Sequence, residues 1–159
     1  MDKRIRNLDN SVRVQAEPFD AGLELSEFVK SCSGAGGIST FVGVVRGHND
    51  EGPIQSMTLE HYPGMTEREL KRLLSEAQVR WSLNHVLIIH RFGRLMVDEP
   101  IVLVATASKH RKDAIKSCEF LIDCLKTTAP FWKLEDNGND ATWVDAKESD
   151  CEHSDTWRA

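Results

Sequence analysis

The chain has little of what most often betrays a function. It carries a single tyrosine and four cysteines, Cys32, Cys118, Cys124 and Cys151. No two of these are spaced C-x-x-C, so neither a zinc ribbon nor a thioredoxin-like redox motif is supported. The six histidines show no H-x-x-x-H or H-E-x-x-H spacing, which argues against a metal site, and no cofactor is expected. P-loop, G-x-G-x-x-G and Ser-His-Asp patterns are all missing. The longest apolar runs, 86–89 and 101–105, are far too short to span a bilayer. No apolar signal core follows the basic start Met1-Asp2-Lys3-Arg4-Ile5-Arg6, so a cytoplasmic protein without a membrane partner is expected. A formal net charge of −5 argues against a general nucleic-acid binder. Any basic site must then be a local patch on an acidic protein.

What is present is an ordinary globular composition, 40% hydrophobic and 28% charged, at a length that suits one domain. The reading is a domain over 12–150, a flexible segment 1–11 and a polar tail 151–159. Residues 12–15 alternate like a short strand. Asp20 caps a helix that runs to about Ser31 with Leu25, Phe28, Val29 and Cys32 on one face. After a glycine-rich break, 38–45 is rich in β-branched residues and reads as a buried strand. The stretch 46–53 is a polar turn, and 54–62 is a strand ended by Pro63-Gly64. Thr66-Glu67-Arg68-Glu69 reads as a capping box, opening a helix with Leu70, Leu73, Leu74, Ala77 and Trp81 at helical spacing. Strands follow at 85–91 and 101–107. A third helix over 109–126 buries Ala114, Cys118, Leu121, Ile122 and Leu125. Cys118, like the other cysteines, is read as a reduced thiol, and it belongs in the core. Cys124, six residues on, falls on a different face. An Asn137-Gly138 turn joins the last two strands as a hairpin. Strands in pairs separated by single helices favour an α+β fold with largely antiparallel pairing.

Three groups of residues can carry chemistry. Arg46, His48 and Asn49 lie just past a strand, where a solvated turn is the plain alternative. His110 and Arg111 open the third helix, where exposed N–H groups favour an anion and arginine can grip phosphate through two bonds. Basic residues there oppose the helix dipole, a local conflict of the kind found at functional sites. Lys126 and Lys133 lie seven residues apart around Pro130, with Phe131 and Trp132 directly before the second. Lys126 can also be a dipole-favoured cation at a helix end, and Lys133 can lie along Trp132. Crowded together with Arg46 and Arg111, the lysines would repel one another and become available as nucleophile or proton carrier.

Five blocks occur in a fixed order: Phe41-Val42-Gly43-Val44-Val45-Arg46-Gly47-His48-Asn49, Leu59-Glu60-His61-Tyr62-Pro63-Gly64-Met65-Thr66-Glu67, Ile89-His90-Arg91-Phe92-Gly93, Ser108-Lys109-His110-Arg111, and Leu125-Lys126-Thr127-Thr128-Ala129-Pro130-Phe131-Trp132-Lys133. Together they resemble the signature of the catalytic (large) subunit family of molybdopterin synthase, over about 12–150. The resemblance implies an α/β hammerhead fold with an additional antiparallel sheet, in a single domain. It implies a central homodimer that binds, at each end, a small ubiquitin-like sulfur-carrier subunit with a C-terminal Gly-Gly thiocarboxylate. The implied activity is a sulfurtransferase converting cyclic pyranopterin monophosphate to molybdopterin. By motif position it assigns Lys126 and Lys133 as catalytic, and Arg46, His110, Arg111 and Lys147 as substrate-binding. Val44, Val45, Leu134 and Glu135 follow more loosely. Thr128 and Lys147 stand where many members have arginine, and Asp98 where the family often has glycine. The alternative is a module of the same fold that binds a carrier tail without chemistry. A phosphoryl-transfer enzyme is disfavoured by the missing P-loop and acidic metal cluster.

Overall fold

A computed structural model describes residues 12–145 and 148–158. The expected flexible segment 1–11 lies outside them. In chain order the elements are β1 (Val12–Gln15), α1 (Ala21–Ser31), β2 (Gly37–Val44), β3 (His48–Asn49), β4 (Gly52–Pro53), β5 (Ser56–His61), α2 (Met65–Arg80), β6 (Leu83–Arg91), β7 (Gly93–Met96), β8 (Pro100–Ser108), α3 (Arg111–Thr128), β9 (Phe131–Asp136), β10 (Ala141–Val144) and α4 (Glu148–Asp155).

Period-2 alternation in β6 and β8 sets the layers. Val86, Ile88, Val102 and Val104 point to one side, where α2 and α3 supply Leu70, Leu73, Leu74, Phe120 and Leu121. Leu87, Ile89, Leu103, Ala105 and Ala107 point to the other, onto Phe28 and Cys32. Strands buried on both faces read as near-continuous apolar runs, as these do. The sheet order is β1-β6-β8-β2. Only β1 joins it parallel, and the other pairs are antiparallel. A second antiparallel sheet, β10-β9-β5-β7, encloses Val45, Met57, Leu59 and Leu95 in a smaller core. This is the α+β architecture expected, with the extra sheet.

Several local expectations change. β2 is an edge strand rather than a buried one, with Phe41 38%, Val42 37% and Val44 47% exposed. β-Branched composition marks a strand but not its place in the sheet. Val29 of α1 also faces outward. The cap of α2 sits two residues earlier than the Thr66 reading: the Glu67 carboxylate accepts from Gly64 N at 2.7 Å. Thr66 is instead buried, its hydroxyl donating to the Tyr62 carbonyl at 3.0 Å. The polar turn at 46–53 contains the short β3–β4 hairpin, and β7 adds a strand where only a connection was expected. Cys124 is buried as well as Cys118, because α3 packs on both the sheet and α2. Asp98 has φ of 70°, the sole non-glycine residue with positive φ among those described, which accounts for a position that favours glycine.

The polar tail is not featureless. Trp157, just beyond α4, packs edge-on against Trp81 at 5.7 Å and Phe120 at 5.6 Å. Its indole N–H donates to Asp123 at 2.8 Å, and Arg80 donates to its carbonyl at 2.7 Å. These contacts seat α4 against the C-terminal half of α3. Phe120 is the hub of this cluster and is only 1% exposed. Phe120→Ala is expected to cost about 3–5 kcal/mol of stability, read from urea unfolding.

Candidate functional site

Pro130 decides the geometry of the lysine pair. It bars the helix from continuing and holds Ala129 extended at φ −72°, ψ 132°. The chain then turns into β9, which pairs with β5 in the register Phe131↔His61, Lys133↔Leu59 and Glu135↔Met57. Alternate residues share a face, so Phe131, Lys133 and Glu135 look the same way. They look into a cleft of about 660 Å³, together with Lys126, Arg46 and Val44. Apolar side chains from three elements complete the wall: Phe41 of β2, Ile122 and Leu125 of α3, and Met57 of β5.

Each lysine faces a carboxylate rather than a crowd of like charges. Lys126 Nζ lies 3.6 Å from Asp150 Oδ1 of α4, and its side chain is half exposed. Lys133 Nζ lies 3.5 Å from Glu135 Oε1. Glu135 is buried and also accepts a hydrogen bond from Asn49 Nδ2 at 2.7 Å. Asp150 was hidden to sequence reasoning. It belongs to a short polar helix with no apolar stripe, and only the Trp157 anchor brings it near Lys126.

The remaining expected residues divide. Val45 is buried in the smaller core, and Leu134 points from β9 to the face away from Lys133, so neither side chain lines the cleft. Thr128 turns back on its own helix, donating to the Cys124 carbonyl at 2.6 Å, and is also outside the cleft. Lys147 lies outside the described residues. His110 and Arg111 are not in the cleft of this chain. They open α3, while Lys126 closes it, and fifteen residues of helix separate Arg111 from Lys126 by about 22 Å. At that far end the start of β2 packs close: a Cβ on Gly36 would lie 2.2 Å from the Lys109 carbonyl oxygen, and one on Gly37 3.2 Å from Arg111 Cα. Glycine is required for this approach. One chain therefore holds two cationic groups at opposite ends of both α3 and β2.

A family model described as MoaE protein matches residues 14–128. The chain is 51% identical over 139 residues to the molybdopterin synthase catalytic subunit of Cereibacter sphaeroides, covering 87% of this chain and 94% of that one. Among solved structures it resembles the MoaE protein of Burkholderia ambifaria, with a TM-score of 0.78, 42% identity, and coverage of 92% of this chain and 97% of the other. It also resembles molybdopterin synthase from Staphylococcus aureus, with a TM-score of 0.77, 28% identity, and coverage of 84% and 96%.

His90 forms the floor beside the lysines. Its ring stacks on Phe131 at 3.7 Å, and its Nδ1–H donates to the Arg91 carbonyl at 2.8 Å. The His61 ring lies 6.3 Å from the Phe131 ring, with its Nδ1 buried and without a hydrogen-bond partner. Burial drives the His90 pKa down from 6.5 to about 4; the Arg91 bond opposes this, and His61 adds to it. Between those values the unfolded chain binds a proton that the folded chain does not. His90 thus favours the fold fully above pH 6.5, and that contribution drains away as pH falls toward 4, by about 3 kcal/mol in all. His90→Phe keeps the stack and removes the titration. Its stability, followed by urea unfolding from pH 7 to pH 4, is expected to fall less steeply than that of the unaltered chain.

Proposed function

We propose, for a chain that belongs to the MoaE protein family, that the cleft between β2, α3 and β9 is where sulfur is transferred to a pterin phosphate to make molybdopterin. The observation that carries this reading is the convergence of Lys126, Lys133 and Arg46 on one cleft with an apolar wall. A phosphate-bearing pterin and the thiocarboxylate tail of a small carrier subunit are both anions, and both need fixed cations. The flat pterin suits a wall of Phe41, Ile122 and Leu125, and a Gly-Gly tail is thin enough to enter beside it.

In the reaction so framed, the thiocarboxylate sulfur forms a C–S bond to a side-chain carbon of the pterin as a C–O bond at that carbon breaks. The oxygen leaves with the electron pair and takes up a proton, so that carrier and pterin are joined through an acyl–sulfur bond. Water then cleaves that bond, so the sulfur stays on the pterin and the carrier departs as a carboxylate. Lys126 stabilises the oxyanion that forms on the carrier carbonyl and assists proton transfer. Lys133 positions the pterin or the transient acyl link. A second round supplies the second sulfur of the dithiolene.

His110 and Arg111 join this site through a second copy of the chain. β2 is unpaired along one edge and exposes Phe41, Val42 and Val44, an apolar edge that calls for a cover. Two copies related by a two-fold axis with their β2 strands antiparallel would lay the Gly37 end of one beside the Val44 end of the other. That places His110 and Arg111 of one copy beside Val44 and Arg46 of its mate, where they can hold the substrate phosphate. The eight residues of β2 span about 26 Å, close to the span from Arg111 to Lys126 along α3.

Dithiolene formation from cyclic pyranopterin monophosphate and purified thiocarboxylated carrier tests the assignment. Lys126→Ala is expected to lose about 10²–10³ in turnover, and near-normal turnover would remove Lys126 from the mechanism. Arg111→Ala should weaken pterin binding more than carrier binding by calorimetry. Mixing the Lys126→Ala and Arg111→Ala chains after joint refolding should restore about a quarter of full activity, since half the dimers regain one intact site of two. A mixture no more active than its parts would mean that the two residues serve separate sites.

A further inference from the structure

Asn49 is assigned no role by the family resemblance, yet its amide reaches both the Arg46 loop and the lysine site. Its Oδ1 accepts from Glu51 N at 2.8 Å and Gly52 N at 3.0 Å, closing the β3–β4 turn. That fixes which way the amide points, because only an oxygen can face two N–H donors. Nδ2 is left to donate to Glu135 Oε2 at 2.7 Å. The other carboxylate oxygen, Oε1, is the one that faces Lys133 Nζ at 3.5 Å. Glu135 is buried, so its rotation is settled by the donors it meets rather than by water. The turn itself is tied at its base by Ile54 N donating to the Gly47 carbonyl at 2.8 Å, one residue beyond Arg46.

We propose that Asn49 is a positioning residue: it holds one oxygen of Glu135 so that the other aims Lys133 into the cleft. This rests on the reading of Lys133 given above. Asn49 touches no reacting atom in this account. It acts through Glu135, and it also fastens the loop bearing Arg46 to β9, so a cationic group of that loop and one of β9 keep a fixed separation.

Asparagine does two jobs here that aspartate can split. Asn49→Asp retains an oxygen for the Glu51 and Gly52 N–H groups, so the turn can close. It replaces the donor by a second acceptor against the Glu135 carboxylate. Asn49→Ser is the companion variant: its hydroxyl can close the turn but is too short to reach Glu135. Both are assayed for dithiolene formation with thiocarboxylated carrier, beside Lys133→Ala, Glu135→Gln and the double change Asn49→Asp with Glu135→Gln. Both Asn49 variants are expected to lose about tenfold to a hundredfold in kcat. The Asn49→Asp loss should shrink to less than about twofold when measured against Glu135→Gln alone, because the new amide donates where the carboxylate could not. A role confined to the turn would leave Asn49→Asp at full rate, or make the two losses multiply. Either result, with Lys133→Ala inactive, overturns the role of Asn49 and leaves the site reading standing. Full activity in Lys133→Ala overturns both.

Discussion

Helix α3 is a rod of eighteen residues, and its stiffness governs how the cationic groups can be used. It is pinned at its start, where Thr106 of β8 donates to the Ala114 carbonyl at 2.6 Å, Gly36 presses against Lys109 and Gly37 of β2 presses against Arg111. Along its length Phe120, Leu121 and Leu125 lock it to the sheet and α2. A helix so held does not bend to bring its ends together. His110 and Arg111 at the N-terminus and Lys126 near the C-terminus are therefore kept about 22 Å apart in any one chain. The same distance recurs along β2, whose free edge is the natural seam for a second copy. The pairing of two copies proposed above then follows from a rigid element with cationic groups at both ends.

The main elements could be read from the sequence because their signals are local. The short apolar runs within 85–91 and 101–107, helical spacing from Leu70 to Ala77, and the Asn137-Gly138 turn each sit within a few residues, and each appears where expected. What could not be read depends on partners distant in sequence. The edge position of β2 follows from which strand β8 pairs with. The cap of α2 shifted because Thr66 found the Tyr62 carbonyl, and the Pro130 carbonyl at 3.4 Å, so its hydroxyl was not needed at the helix start. α4 has no apolar stripe, and it is placed by Trp157, a residue beyond its own end.

The site shows the same division. Lys126, Lys133, Arg46, Val44 and Glu135 line one cleft, and the strand that carries Lys133 and Glu135 was visible in the sequence as one arm of the Asn137-Gly138 hairpin. Asp150 and His90 were not, because nothing in the chain order ties them to Pro130. Val45 and Leu134 keep their side chains out of this cleft, one in the smaller core and the other on the opposite face of β9. A short motif includes residues of both faces of a strand, and only alternate ones can reach a ligand with their side chains.

The two lysines differ in how they are held, and this separates their work. Lys126 is half exposed and its contact with Asp150 at 3.6 Å is longer than a hydrogen bond. Ion pairs of that kind are worth little, so an arriving anion can replace the carboxylate at small cost. Lys133 is paired with a buried carboxylate whose other oxygen is already engaged by Asn49. Dislodging Lys133 would leave Glu135 buried with half its partners, which is far more costly. In the sulfur transfer proposed above, Lys126 would thus be free to follow charge as it develops on a reacting carbonyl, while Lys133 keeps its place. The proposed cycle of accepting a carrier tail, forming a joined intermediate and releasing the tail again uses one cation of each kind.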